Sequence, residues 1–219
     1  MKKRIAIFGA GGCGREVLVL LHQINEANPV WDFIGFYDDG LPVGTSVNGY
    51  PLLGGVAAVN AEAQPLALVV AIAQPATKEK VVSQLTNPKL HYATLIHPEA
   101  IPRSYQFIEL GEGTVVGAGN RLTANIQIGR HVFLHSSCTV GHDTVIEDFC
   151  SLMPSVNVSG EVRLEKGVYC GTGAAISNQI AVGEGTIIGA GAAVVRSLPA
   201  HCTAVGVPAK PIKFHPIHE

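Results

Sequence analysis

The chain has 219 residues, which is enough for one large domain or two modest ones. Its formal net charge is −2, and no basic cluster is long enough to predict binding to nucleic acid or an anionic membrane. The five cysteines lack the spacing of a disulfide framework or a CxxC pair, which favours a reducing cytoplasm. The apolar run after Lys2-Lys3-Arg4 ends in glycines after four residues, so we expect neither a signal peptide nor a membrane span.

Strands and helices alternate through the first part of the chain. We predict strands at 4–8, 33–37, 66–72 and 90–96, a helix from about Gly14 to Asn28-Pro29, and a second helix at 76–86. This alternation predicts a small Rossmann-like α/β domain with a parallel sheet over residues 1–96. Residues 97–107, which contain two prolines, are expected to be a connector to the next domain.

A glycine motif joins the first predicted strand to the first helix. Gly9-x-Gly11-x-x-Gly14 matches the dinucleotide-binding fingerprint, and Asp38-Asp39 ends the next strand, where a ribose-binding acid would lie. A complete dinucleotide site needs two mononucleotide halves, and about 95 residues have room for one. We therefore predict a mononucleotide or nucleotide-sugar pocket. The alternatives are an NAD site, or glycines that serve only tight packing of strand and helix.

A repeat of six residues organises residues 108–197. Such a period fits neither a helix nor a plain strand, but it fits short strands separated by corners, with three faces in a coil of about eighteen residues. A β-sandwich would not hold the period through fifteen steps. A glycine often follows the repeated position, and we attribute it to the backbone conformation of the corner. The fifteen positions, fourteen aliphatic and one cysteine, are Leu110, Val116, Leu122, Ile128, Leu134, Val140, Ile146, Leu152, Val158, Leu164, Cys170, Ile176, Val182, Ile188 and Val194.

The repeat, Gly189-Ala190-Gly191-Ala192 and the later Val205-Gly206-Val207-Pro208-Ala209-Lys210 together resemble the left-handed β-helix (hexapeptide-repeat) acyltransferases. With the glycine-rich domain in front, nearly the whole chain resembles the bacterial UDP-4-amino-sugar N-acetyltransferases and the sialic acid O-acetyltransferase-like proteins. The resemblance implies a left-handed parallel β-helix at 108–197, a homotrimer, and acetyl-CoA in the groove between neighbouring prisms. Residues 198–219 are then a C-terminal tail that packs against a neighbouring coil or subunit.

The same resemblance assigns a substrate pocket and a cofactor site. Cys13 departs from the family, which commonly has a histidine there, and Ser151 stands where relatives carry a second, cofactor-contacting histidine. Lys166 and Arg196 are weaker partners for the phosphates of acetyl-CoA. The implied substrate-binding residues are Gly11, Gly12, Cys13, Asp38, Asp39 and Ala73, and the implied cofactor-binding residues are Ser151, Thr172, Ala190 and Lys210.

His142 and Asp143 form the predicted catalytic pair. The family carries a histidine followed by an acid in this repeat, and a histidine just past a corner can leave the prism and act as a general base near neutral pH. The carboxylate beside it can raise its basicity or fix its tautomer. A solvent-facing corner residue without a catalytic role is the alternative interpretation.

Two further histidines invite a zinc interpretation. His131, His135 and His142 are separated by gaps of four and seven residues, which differ from the spacing in the β-helical carbonic anhydrases. We therefore predict no metal. His131 is expected to be a surface corner residue, and His135 is a secondary candidate for the groove.

These observations predict an enzyme that N-acetylates the amine of a nucleotide-linked amino sugar with acetyl-CoA. O-acetylation of a sialic acid or another sugar hydroxyl is the alternative within the enzymes. A non-catalytic nucleotide-binding trimer and an NAD-dependent oxidoreductase are the alternatives from other classes. The residues leave open the nucleotide, the sugar, the acyl chain length and the pathway.

Overall fold

The computed structural model describes residues 2–216, which divide into an N-terminal unit ending at Pro98 and a repeat unit starting at Glu99. No helix among these residues combines the length and the apolar composition that crossing a bilayer requires. The elements of the N-terminal unit are β1 (Lys3–Phe8), α1 (Gly12–Ala27), β2 (Trp31–Tyr37), β3 (Ser46–Val47), β4 (Tyr50–Pro51), α2 (Val56–Asn60), β5 (Leu66–Val70), α3 (Pro75–Gln84), β6 (Leu90–Tyr92) and β7 (Leu95–Ile96).

The N-terminal unit is built on a four-stranded parallel sheet in the order β2-β1-β5-β6. Every residue of β5 is buried, as expected for a central strand that is covered on both faces. The strand order reverses between β1 and β5, and ligands of open α/β sheets bind at such a point, beyond the carboxyl ends of the strands. The α/β class predicted from the alternation is confirmed.

Several details of this unit differ from the expectation: β2 begins two residues earlier than predicted, and β5 and α3 each end two residues earlier. The helix α1 begins at Gly12, two residues earlier than predicted. The predicted strand at 90–96 is two short strands, β6 and β7, because the chain leaves strand geometry between Tyr92 and Leu95. The hairpin β3–β4 and the five-residue helix α2 were not predicted, since neither is long enough to show a hydrophobic period.

The repeat unit begins with two short 3₁₀ turns, Pro98–Ala100 at the unit boundary and Ser104–Gln106, and continues as two- or three-residue strands at six-residue intervals. These strands are β8 (Ile108–Leu110), β9 (Val115–Val116), β10 (Arg121–Leu122), β11 (Ile126–Ile128), β12 (Phe133–Leu134), β13 (Thr139–Val140), β14 (Val145–Ile146), β15 (Ser151–Leu152), β16 (Asn157–Val158), β17 (Arg163–Leu164), β18 (Tyr169–Cys170), β19 (Ala175–Ile176), β20 (Ala181–Val182), β21 (Ile187–Ile188) and β22 (Ala193–Val194).

From β8 to β19, each strand pairs in parallel with the strand eighteen residues later, for example Arg121 with Thr139 and Thr139 with Asn157. Three faces result: β8, β11, β14, β17 and β20 form the first, β9, β12, β15, β18 and β21 the second, and β10, β13, β16, β19 and β22 the third. The predicted coil of eighteen residues and the β-helix are confirmed.

The interior of the prism is the aliphatic column that the period predicts. Fourteen of the fifteen repeated positions are buried, and only Leu110, in the first coil, is half-buried. Burying one such side chain stabilises the fold by about 1.5–3 kcal/mol, so the stacked coils share one continuous core. Thr114, Thr144 and Thr186 lie two residues before the repeated position and are also buried, with each hydroxyl bonded to a backbone carbonyl.

The expected reason for the glycines after the repeated position is wrong. A Cβ on Gly141 would lie 2.4 Å from the backbone nitrogen of Gly160 in the next coil, so close stacking excludes it. The left-handed corner residue comes two positions later, and many side chains occupy it. These positions, all with φ between 54° and 72°, are Gly113, Gly119, Asn125, His131, Ser137, Asp143, Phe149, Ser155, Glu161, Gly167, Gly173, Gln179, Gly185 and Gly191.

The segment after the repeat continues the second face. The strand β23 (Cys202–Val205) pairs in parallel with β21, and β24 (Lys210–Phe214) pairs antiparallel with β23. Residues 217–219 of the predicted tail lie outside the described residues.

Candidate active site

His142 and Asp143 lie at the corner between β13 and β14. Asp143 takes the left-handed conformation of that corner, with φ 57°, and its backbone N–H donates to the carbonyl of Ala124 at 3.0 Å. The side chains of His142 and Asp143 are 59% and 51% exposed. The corner therefore turns both side chains away from the aliphatic core and toward solvent, where a substrate can reach them.

The two side chains form a hydrogen bond of 2.8 Å between His142 Nδ1 and Asp143 Oδ2. An ionised carboxylate can only accept a hydrogen bond, so Nδ1 carries the proton, and in the neutral imidazole Nε2 then presents a lone pair. The hydrogen bond from His142, and then one from Asn125, holds the pKa of Asp143 below its ordinary value. The pair is therefore arranged as a base whose tautomer is fixed by its neighbour.

Two residues that the sequence analysis did not single out complete this corner. Asn125 Nδ2 donates to Asp143 Oδ1 at 3.1 Å from the preceding coil. Gly160 lies in the following coil, where a Cβ would stand 2.6 Å from His142 Nε2. Asn125 precedes Asp143 by eighteen residues and Gly160 follows His142 by eighteen, so the length of the coil is the signal that points to them.

The other two histidines of the zinc hypothesis lie in different surroundings. His131 was expected at the surface, and that expectation is wrong, because it is 4% exposed and its ring stacks on Phe149 at 5.3 Å. His135 is half-buried, and its Nδ1 accepts a hydrogen bond of 2.9 Å from the backbone N–H of Ser136. Within residues 2–216, no group of three His, Cys, Asp or Glu side chains is placed to hold a metal ion.

The residues expected to bind acetyl-CoA do not form a single cluster in the structure. Thr172 and Ala190 are exposed and lie one coil apart at the same position of the repeat, and the N–H of Gly191 donates to the Thr172 carbonyl at 2.8 Å. Ser151, in β15, is fully buried and so does not lie on that exposed surface. Thr172 and Ala190 thus form a small-residue surface along which an extended ligand can lie.

A second place lies at the end of the prism. Arg196 and Lys210 line a cavity of about 300 Å³ together with Val195, Pro208 and Ala209. The wall is mainly apolar and carries two cations, a combination that suits a base or ring with phosphate groups attached. Lys166 does not line this cavity, and its Nζ lies 6.0 Å from the centre of the Phe149 ring.

The glycines of the N-terminal loop have two different roles. A Cβ on Gly14 would stand 1.8 Å from the carbonyl oxygen of Gly9, so helix α1 can approach β1 only with glycine there. Gly11 and Gly12 have open space where a side chain would be, at the start of α1. These two exposed N–H groups at a helix start are available to a phosphate or another anion.

The carboxylates of the two acids after β2 accept hydrogen bonds from backbone N–H groups. Asp38 accepts hydrogen bonds of 2.8 Å from the N–H groups of Ala10 and Gly40, which fixes the glycine loop against the end of β2. Asp39 accepts a bond of 2.9 Å from the N–H of Val56 and so caps α2. Ala73 is half-buried in the loop after β5, on the other side of β1.

Cys13 follows the exposed glycines as the second residue of α1. Burial raises the pKa of its thiol to about 12, although the cation of Lys78 acts in the opposite direction. A thiol with such a pKa stays protonated near neutral pH. It therefore offers a weak donor and a small apolar surface to a ligand in the loop, and not a nucleophile.

Comparisons with known proteins agree with this two-part architecture. Residues 4–85 match the family model described as the PglD N-terminal domain. The chain is 30% identical over 215 residues to GDP-perosamine N-acetyltransferase of Escherichia coli O157:H7, with 96% of each chain covered.

Two solved structures are similar over nearly the full length. The acetyltransferase domain of PglB from Neisseria gonorrhoeae FA1090, in complex with acetyl coenzyme A, has a TM-score of 0.86 at 29% identity, with 97% of this chain and 100% of that chain covered. PerB from Caulobacter crescentus, in complex with CoA and GDP-perosamine, has a TM-score of 0.86 at 29% identity, with 95% and 97% covered.

Proposed function

We propose that this chain, which belongs to the hexapeptide-repeat acyltransferase family that includes GDP-perosamine N-acetyltransferase, transfers the acetyl group of acetyl-CoA to the amine of a nucleotide-linked amino sugar. The observation that carries the proposal is the His142–Asp143 hydrogen bond, which leaves the Nε2 lone pair on a largely exposed imidazole in a prism of the acyltransferase type. Relatives of nearly the same length are complexed with acetyl coenzyme A, or with CoA and GDP-perosamine.

The reaction needs a base at the point where His142 Nε2 lies. The sugar amine attacks the thioester carbonyl, a C–N bond forms, and Nε2 takes the proton that the nitrogen loses. The tetrahedral intermediate then collapses, the C–S bond breaks, and the imidazolium returns its proton to the leaving thiolate of CoA. Asp143 stabilises the imidazolium between these steps, and such acid–base catalysis contributes about 10²–10⁴-fold.

The cofactor has two supports in the repeat unit. Thr172 and Ala190 provide an exposed surface of small residues with backbone groups for the pantetheine arm. Arg196 and Lys210 provide the cations beside an apolar cavity of about 300 Å³. We assign the phosphates of acetyl-CoA to these cations, because a guanidinium and an ammonium pair well with phosphate oxygens. Ser151 has no direct contact in this assignment, since it is buried.

The nucleotide part of the substrate is assigned to the N-terminal unit. Gly11 and Gly12 follow the carboxyl end of β1, beside the reversal of strand order between β1 and β5, where phosphate-containing ligands bind in α/β folds. Asp38 contributes by holding the loop, through its bond to the N–H of Ala10. Asp39, Cys13 and Ala73 lie around the same loop ends, and we propose that they shape the pocket rather than anchor the phosphates.

We further propose a homotrimer in the cytoplasm. The trimer follows from the family resemblance, and the exposed position of His142 suits a groove formed with a neighbouring prism. The compartment follows from the cofactor and from the cysteines: all five are free thiols, as expected where the environment is reducing.

Thiol release from acetyl-CoA tests the proposal. The protein is assayed with a panel of GDP-, UDP- and dTDP-linked amino sugars, each beside the same sugar lacking the amine, with His142→Ala as the catalytic control. We expect release with an amino sugar only, a product stable to mild base as amides are, and a loss of about 10²–10⁴-fold in kcat for His142→Ala. A base-labile product would indicate an ester and O-acetylation. Unchanged kcat in the variant would remove His142 from the mechanism.

A further inference from the structure

The corner that carries Asp143 belongs to a column of residues stacked at intervals of one coil. Asn125, Asp143, Glu161 and Gln179 occupy it, and all four have the left-handed conformation, with φ between 54° and 59°. Side chains in the same column meet because successive coils are hydrogen-bonded in register. A side chain in this column can therefore contact the side chain at the same position in the next coil.

Asn125 and His142 hold the two oxygens of the Asp143 carboxylate from different sides. Asn125 Nδ2 donates to Oδ1 at 3.1 Å, and His142 Nδ1 lies 2.8 Å from Oδ2. The backbone beneath is also fixed, since the Asn125 N–H donates to the Gln106 carbonyl at 2.8 Å and the Asp143 N–H to the Ala124 carbonyl at 3.0 Å. The chain of contacts runs from the first coil to the imidazole without a gap.

We propose that Asn125 is a positioning residue for the reaction: its amide holds the Asp143 carboxylate so that Oδ2 accepts the hydrogen bond from Nδ1–H and Nε2 of His142 is presented to the substrate. This inference rests on the proposed role of His142 as the base. Asp143 is half exposed, and a carboxylate in that setting rotates freely about its terminal torsion unless a second contact holds it. The Asn125 contact to one oxygen fixes the plane of the carboxylate, so that the other oxygen stays aligned with Nδ1.

The same column contains a matched control. Gln179 Nε2 donates to Glu161 Oε2 at 3.1 Å, which is an amide-to-carboxylate contact between adjacent coils, like that of Asn125 with Asp143. Glu161 contacts His142 through the backbone, since its N–H donates to the His142 carbonyl at 2.8 Å. A substitution at Gln179 thus removes the same kind of contact without touching the imidazole–carboxylate pair.

Asn125→Gly and Gln179→Gly are the informative variants. Glycine occupies the equivalent corner at Gly113 and Gly119, so it preserves the left-handed backbone while removing the amide. We expect Asn125→Gly to lower kcat by about 2–10-fold, the effect of one hydrogen bond, with unchanged KM for both substrates. Gln179→Gly is expected to keep the kcat of the unaltered protein.

Asn125→Asp tests the positioning role through the pH dependence of kcat/KM, which a purely structural role of Asn125 would leave unchanged. It places a second negative charge against Asp143, whose carboxylate contacts the imidazole, and so favours the imidazolium. We expect the acidic limb of the kcat/KM profile to move up by roughly half a pH unit. The corresponding change in the control, Gln179→Glu, should leave the limb in place.

The tautomer of His142 can be read without any substrate. In protein labelled with ¹⁵N-histidine, with His142→Gln used to identify the signal, we expect an unprotonated Nε2 and a protonated Nδ1 above the imidazole pKa. Asn125→Gly should mix the two tautomers, and Gln179→Gly should not. An unchanged tautomer together with unchanged kcat in Asn125→Gly would overturn the inference, as would equal losses in both glycine variants.

The outcomes separate this inference from the proposed function. If His142→Ala abolishes activity while Asn125→Gly is indistinguishable from the unaltered protein, His142 remains the base and the role of Asn125 is wrong. If His142→Ala retains full activity, the proposed mechanism itself is wrong, whatever the tautomer of His142 shows.

Discussion

The imidazole of His142 lies directly over Gly160, so that a methyl group on Gly160 would stand 2.6 Å from Nε2 and 2.7 Å from Cε1. The three atoms nearest to that methyl all belong to the His142 ring. Gly160 has an ordinary backbone conformation, so a side chain there would disturb the ring and little else. The glycine therefore sets where the imidazole lies without contributing to the core.

Gly160→Ala is expected to reduce activity without reducing stability. The exposed imidazole can swing away from the methyl group, which relieves the clash but moves Nε2, and a displacement of about 1 Å can cost up to about 10²-fold in rate. We expect kcat to fall by about 10- to 100-fold and the Tm to stay within about 2 °C, since surface substitutions change stability by about 0.5 kcal/mol or less. Thiol-release kinetics and a thermal melt measure both.

Asn178→Ala is the control for that experiment, because residue 178 occupies the same position one coil further on. Its kcat should equal that of the unaltered protein. A Gly160→Ala protein with full activity would show that the imidazole has room to adjust and that Gly160 does not set its position.

The two kinds of glycine in the N-terminal loop predict opposite effects of a single methyl group. Gly14→Ala should destabilise the N-terminal unit by about 3 kcal/mol or more, because its Cβ would overlap the Gly9 carbonyl oxygen, and neither backbone segment can yield. Gly12→Ala should leave stability unchanged or slightly raised, because its Cβ meets open space in the first turn of α1.

Gly12→Ala should nevertheless raise KM for the nucleotide sugar, by about tenfold, if that space receives the substrate. Denaturant unfolding of both variants, followed by substrate saturation curves for Gly12→Ala, measures the two effects. An unchanged KM would place the nucleotide elsewhere, and normal stability of Gly14→Ala would contradict the close approach of α1 to β1.

The Cys13 thiol is expected to react slowly. Burial raises its pKa from 9.0 to about 12, so its thiolate fraction at pH 8 is smaller than that of an ordinary cysteine by roughly 10²–10³-fold. Iodoacetamide labelling followed by peptide mass spectrometry should show Cys13 protected in the folded protein. The denatured protein, in which all five cysteines react, is the reference.

The raised pKa of Cys13 also makes the stability of the folded protein depend on pH. Because the folded pKa lies above the unfolded one, the contribution of Cys13 is fully present below about pH 9 and is lost as the pH rises toward 12. Cys13→Ala should therefore flatten the fall of stability between these values. Rapid labelling at pH 8 would indicate instead that the cation of Lys78 dominates over burial.

Much of the fold could be predicted from the sequence because it is periodic. A repeat of six with one buried aliphatic side chain per face leaves few alternatives to a coil of eighteen residues, since in-register stacking is what buries every repeated position. The family resemblance, the acyltransferase class and acetyl-CoA also followed from the motifs. His142 and Asp143 could be proposed as a pair for the same reason, since they are neighbours in the chain and a corner exposes both.

The remaining features depend on contacts between residues distant along the chain. The sequence places His131 at a corner, yet only the stacking on Phe149 shows that it is buried. The sequence predicts Asp39 as a substrate ligand, and only the tertiary structure shows that it also accepts a hydrogen bond from the N–H of Val56 at the start of α2. Ser151 matches a cofactor position but is buried. In each case the surroundings of the side chain come from other elements, and the residues next to it in the sequence do not reveal them.

The sequence by itself determined the period, and with it the aliphatic core and the corner that carries His142 and Asp143; the alternation of strands and helices determined the α/β class of the N-terminal unit. Only the tertiary structure decided which residues meet one coil away, where Asn125 holds Asp143 and Gly160 lies beneath His142. The physical reason is that hydrophobic burial follows from spacing along the chain, whereas the position and tautomer of an exposed imidazole follow from contacts between stacked coils.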